Sequence, residues 1–133
     1  MTARQALLFG TALLASFLFS AQRCFAAEEV GKVIVRIAEL DIAPEQLEAY
    51  KLILKEEIGT SIRVEPGVLT LYAVSLKGHP EQIRLFEMYR DAASYESHLQ
   101  SPHFKAYKAE TQRMVKGLRL IETEPILLGS KPK

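Results

Sequence analysis

The chain has 133 residues, with 17 Lys or Arg against 16 Asp or Glu and a single Cys. Its charge is balanced and no basic block stands out, so nucleic-acid binding has no electrostatic support. Neither Trp nor Asn occurs anywhere in the sequence.

The first residues read as a leader. Arg4 precedes an almost uncharged apolar run from Ala6 to Phe19, and small residues follow at Ala26 and Ala27. This is the pattern of a secretory signal peptide. The run of about 14 residues is short of the roughly 20 that a membrane span needs, which disfavours an uncleaved anchor. Cleavage after Ala26 assigns 1–26 to the leader and 27–133 to a single domain, with its core at about 32–128. The expected mature chain of 107 residues carries 15 basic and 16 acidic groups and no Cys. Thiol catalysis and Cys-ligated zinc or iron–sulfur sites are excluded for that chain, and its folding rests on packing alone. It is expected in the bacterial periplasm, free of the membrane after cleavage.

Residues 31–42 are β-branched and apolar on both faces, a buried strand. Pro44 opens a helix at its first turn, and Leu47, Tyr50, Leu54 and Ile58 form its apolar stripe. The helix weakens at Gly59 and stops by Glu65–Gly67, where Pro66 and Gly67 suit the centre of a type II turn. Residues 68–76 form the second strand. A polar turn at 77–82 leads to a third strand at 83–90, which makes a hairpin. Asp91 is an N-cap candidate for the next helix. Ser101 and Pro102 restart it as N-cap and first residue, and Gly117 is expected to end it. The last strand is expected at 118–128.

The order β-α-β-β-α-β is the split arrangement of a ferredoxin-like α+β domain, with both helices on one face of an antiparallel sheet. The strands are nevertheless apolar on both faces. A bare apolar face predicts a homodimer in which two sheets meet.

Two stretches, "EPGVLTLY" and "LFEMYRDAASYESHLQSPHFKAY", resemble the antibiotic biosynthesis monooxygenase domain family. The matching positions are Glu65, Pro66 and Gly67, then Glu87 and Tyr89, Asp91, and His98, Pro102, His103 and Phe104. The resemblance spans about 32–128, and the block from Phe86 to Tyr107 is its most specific part. It implies a dimeric α+β barrel. It also implies one of several activities: oxidation of quinols or polycyclic phenols by O₂ without metal or flavin, haem degradation, or isomerisation of small hydroxyketones. Lacking Asn and Trp, the chain departs from the haem-degrading set. His98 falls where that set has Trp, and Lys108 falls where it has the axial His. The polycyclic-phenol oxidases likewise use an Asn and a Trp. The resemblance therefore points to the quinol-oxidising type or to an isomerase, with no cofactor and a small-molecule substrate.

Each candidate residue has a chemical and a structural role open to it. His98 is the leading proton acceptor for a phenol, or a helix-end His placed against the dipole. His103, at the second position of the following helix, either contacts substrate or fixes the Ser-Pro corner. Glu87 either assists the base and binds a substrate hydroxyl or pairs with Arg36 or Arg119. It points into the barrel if Phe86 and Met88 face the helices. Tyr72 and Tyr89 are cavity-wall candidates, with ordinary sheet packing as the alternative for Tyr72, and Arg36 either holds an anionic oxygen or pairs with Glu87. A metal site is not expected, because the Ser-Pro break puts His98 and His103 on different helices, and His79 lies in a polar turn. A dimeric binding module without turnover is the reading outside enzymology.

Overall fold

A computed structural model describes residues 32–131. The expected leader and its cleavage site lie outside the described residues. β1 (Ile34–Ile42) leads through a 3-10 turn (Pro44–Gln46) into α1 (Leu47–Val64). β2 (Val68–Leu76) and β3 (His79–Tyr89) form a hairpin, followed by α2 (Ala92–Gln100), α3 (Pro102–Thr111) and β4 (Val115–Thr123). The sheet order is β2-β3-β1-β4 and all three pairings are antiparallel. This is the α+β arrangement expected from the sequence. Among the described residues no helix is long and apolar enough to cross a membrane.

Period-two alternation divides the strands into two faces. Ala38, Leu40 and Ile42 of β1 and Ile83 and Leu85 of β3 pack against Leu47, Tyr50 and Leu54 of α1 and Tyr107 of α3. Each such large apolar side chain contributes roughly 1.5–3 kcal/mol by leaving water. The Tyr50 and Tyr107 hydroxyls meet at 2.6 Å, so neither buried phenol lacks a partner. Among the described residues, no helix covers the opposite face. Its central row runs Tyr72, Phe86, Ile37 and Ile121 across all four strands. Phe86 and Met88 therefore lie on the bare face. Glu87 points toward the helices and not between two sheets, because its neighbours in the period, Leu85 and Tyr89, are core residues.

Four local expectations are corrected. Only Lys77 and Gly78 form the hairpin tip, with Gly78 at φ 81°, and residues 79–82 already belong to β3. β4 starts before Gly117, so that glycine sits inside a strand opposite Asp41 and does not end a helix. β4 stops at Thr123, two residues before Pro125, which lacks the N–H a ladder needs. Finally, Gly67 does not have the positive φ of a type II turn. Its lack of a side chain serves a close approach instead, since a Cβ there would stand 2.3 Å from Ser94 Oγ and 2.4 Å from Ser94 Cβ. The caps at Asp91 and Ser101 form as expected, accepting from the backbone N–H of Ser94 at 2.7 Å and of Phe104 at 3.3 Å. Gly67→Ala forces β2 and α2 apart and is expected to cost about 1–3 kcal/mol, read as a lower urea midpoint; an unchanged midpoint contradicts this packing.

Candidate active site

The buried stripe of α1 turns polar in its second half. After Tyr50 and Leu54 come Glu57, 7% exposed, and Ser61, fully buried. Ser61 Oγ donates to Glu57 Oε1 at 2.7 Å. One turn further, Glu65 caps the helix, its N–H donating to the Ser61 carbonyl at 3.0 Å. The turn at Pro66 and Gly67 is pinned by Arg90, whose guanidinium donates to the Pro66 carbonyl. Glu65 thereby lies beneath the corner where α2 gives way to α3.

Both corner histidines converge on that carboxylate. His98 Nδ1 is 2.9 Å from Glu65 Oε1, and His103 Nε2 is 2.6 Å from the same oxygen. An ionised carboxylate only accepts, so each ring donates an N–H. Burial raises the Glu65 carboxyl, but the hydrogen bonds from His98 and His103 outweigh it and hold the group below its ordinary range. The Ser101 hydroxyl lies 3.2 Å from His103 Nε2, so the residue that caps α3 also contacts its histidine.

His98 is only 3% exposed. Its ring packs on Phe104 at 4.6 Å and on Tyr89 at 5.3 Å between centroids. With Nδ1 committed to Glu65, Nε2 carries the free lone pair of the neutral ring. It stands 3.9 Å from Glu57 Oε1, beyond hydrogen-bond reach. A cavity of about 80 Å³ lies beside it, between helices and sheet. Glu57, Glu87, Tyr89 and His98 are among its polar lining, and leucines of α1 and all four strands supply the apolar wall. Leu118 and Leu120 of β4 belong to that wall and remain about half exposed, so the cavity opens toward the β4 edge.

Glu87 accepts from the Tyr89 hydroxyl at 3.1 Å. Burial pushes the Glu87 carboxyl above its ordinary value, against the opposing effects of that hydrogen bond, His98 and Arg36. Burial, with Glu87 beside it, pushes the Tyr89 phenol far up as well.

The structure thus brings His98, Glu87 and Tyr89 to one cavity and sets His103 at its back, on Glu65. It separates the other two candidates. Tyr72 is 66% exposed on the bare sheet face and does not line this cavity. Arg36 is in register with Glu87 but lies over the Tyr95 ring at 4.5 Å and pairs with Glu122 at 3.5 Å. Glu87 pairs with neither Arg36 nor Arg119, and Arg119 instead holds Glu39 at 2.7 Å. The Ser-Pro break puts the two histidines on different helices, α2 and α3, as expected, yet their rings stand only 6.5 Å apart. Glu57 and Glu65 were not anticipated as site residues. Their signal was the polar continuation of the α1 stripe at steps of three and four.

A family model described as antibiotic biosynthesis monooxygenase matches residues 33–110. A solved structure from Bacteroides thetaiotaomicron that bears the same family name is 48% identical, with a TM-score of 0.73, over 77% of this chain and 97% of that one. One from Nitrosomonas europaea, also under that family name, is 18% identical, with a TM-score of 0.67, over 72% and 92%. One from Mycobacterium tuberculosis is 22% identical, with a TM-score of 0.67, over 74% and 100%. The last two share the fold. No curated protein matches the chain.

The Glu87 environment sets a pH dependence. Its folded carboxyl holds a proton that the unfolded chain has already released above about 4.5. Stability from this group is therefore lost as pH rises from that value through the raised folded value. Glu87→Gln removes the loss, so the variant gains on the parent protein with rising pH. Urea midpoints of both proteins between pH 4 and pH 8 check this; parallel curves contradict it.

Proposed function

This chain belongs to the antibiotic biosynthesis monooxygenase family, and on that premise we propose that it oxidises a quinol or related phenol with O₂. The observation that carries the reading is a buried His98 whose Nδ1–H is held by Glu65 while Nε2 remains free beside an apolar cavity. His98 Nε2 accepts a phenolic proton, and the resulting phenolate reduces O₂. One oxygen atom enters the ring and the other leaves as water, so that quinol plus O₂ gives hydroxyquinone plus water. The quinol supplies every electron, and the reaction requires no separate reductant or cofactor.

Glu65 is a positioning residue that fixes the ring and its tautomer, as carboxylates do for catalytic histidines. Glu87, kept toward its protonated form by burial, binds the second substrate hydroxyl, and Tyr89 holds Glu87. A positioned base contributes typically 10²–10⁴-fold. His98→Ala is expected to lower quinol-dependent O₂ uptake at least tenfold, about 1.4 kcal/mol of barrier. Equal uptake in both proteins removes His98 from the chemistry. Turnover of a hydroxycarbonyl compound without O₂ would move the reading to an isomerase, and ligand binding without turnover to a binding module.

We further propose that the protein works as a homodimer joined through the bare sheet faces, after export to the periplasm. The row of Tyr72, Phe86, Ile37 and Ile121 supports this, with Tyr72 at 66% and Val74 at 57% exposure in a lone chain. The row of Val74, Arg84, Glu39 and Arg119 borders it, with Glu39 bridged to both arginines. Light scattering is expected to give twice the chain mass for the parent protein and a single chain mass for Tyr72→Asp. A parent protein that stays monomeric at about 100 μM contradicts the dimer, since a specific interface of ordinary size binds well below that.

A further inference from the structure

Three helices bring ligand-type atoms together behind the cavity. A Glu57 carboxylate oxygen and one ring nitrogen each of His98 and His103 lie within 4.8 Å of one another. The first two residues are buried and the third is half-buried. We propose that this cluster binds a divalent transition-metal ion of the zinc class.

The donor set is the first argument. Two imidazoles and one carboxylate suit zinc and its borderline neighbours, whereas calcium and magnesium take all-oxygen sets. The spacing is the second. An ion at the centre of such a triangle stands within about 2.8 Å of each corner, against the roughly 2.0–2.1 Å of zinc–nitrogen and zinc–oxygen bonds. Side-chain shifts of under about 1 Å close the difference. The surrounding shell is the third. Glu65 takes the His98 Nδ1–H and leaves Nε2 pointing at Glu57, the carboxylate–histidine relay that orients metal ligands.

Access is the fourth argument. A cleft of about 160 Å³ between α1 and α3 reaches Glu57 and His103 from outside, and Glu56 and Glu110 also line it. A cation entering there meets negative charge along its path. Glu57 and His98 face the apolar cavity as well, so three protein ligands would leave an open position toward it. That is the plan of a catalytic and not a closed structural zinc site.

An ion bound here takes the same His98 Nε2 that the proposed oxidation uses as its base, so the two states exclude each other. Binding is consequently measured on the protein alone, and its outcome is separate from that of O₂ uptake. Titration of the metal-stripped protein with Zn²⁺ by calorimetry, and with Co²⁺ by visible absorption, is expected to show one saturable site per chain. Its dissociation constant is expected in the micromolar range or below. Glu57→Gln and His103→Ala each weaken it at least tenfold. His79→Ala, at an exposed histidine beside Glu81, leaves it unchanged. Zn²⁺ also raises the thermal midpoint of the unaltered protein, a readout that needs no variant. No saturable binding up to about 1 mM, an unmoved midpoint, binding that survives both variants, or binding lost in His79→Ala overturns the proposal.

Discussion

One carboxylate organises the functional end of this molecule. Glu65 ends α1, and its Oε1 accepts from the last turn of α2 through His98 and the first turn of α3 through His103. Three chain segments are tied at a single oxygen. Charge-assisted bonds of this kind are about twice as strong as neutral ones. The arrangement therefore fixes the angle between α2 and α3 as well as the orientation of both rings. The Ser-Pro corner supplies the break in the helix, and Glu65 determines where the two sides of the break point.

The sheet is apolar on both faces. One is covered by α1 and α3 and gives the core. It also gives the cavity, because the helices cover β4 less fully than β1 and β3, leaving Leu118 and Leu120 half exposed. The polar groups that enter this face come from positions where the helix and strand periods stay regular while the residue type changes. Glu87 stands where β3 would otherwise place another leucine, and Glu57 stands where α1 would. Each is an unfavourable residue for its burial. Glu57 is offset by Ser61, and Glu87 by Tyr89.

Much of the fold is legible in the sequence because local signals agree with it. The order of strands and helices along the chain, the two caps at Asp91 and Ser101, and the Pro102 start of α3 follow from chemistry within a few residues, while Pro44 opens a 3-10 turn ahead of α1. The errors fall where a long-range contact decides. Gly67 suits a type II turn from its dipeptide, yet the glycine is required by Ser94, which is 27 positions away. Gly117 resembles a helix stop and is a strand residue facing Asp41. In the site, His98, Glu87 and Tyr89 are legible as a group because the family motif contains them. Tyr72 fails because the register shift between Val68 and Thr70 puts Leu71 inward and Tyr72 outward. Glu65 continues the α1 stripe in the sequence, but nothing local reveals that its side chain meets residues 33 and 38 positions further on.

The central claim is that Glu65 holds His98 in one tautomer, with Nδ1 protonated and Nε2 free. Nitrogen-15 NMR of the imidazole rings, at a pH where they are neutral, tests it most directly, with His98→Ala assigning the resonance. The account predicts an Nδ1–H ring for His98 that converts toward the other tautomer or to rapid averaging in Glu65→Gln. An Nε2–H ring in the unaltered protein would place the lone pair against Glu65 and contradict the account at its root.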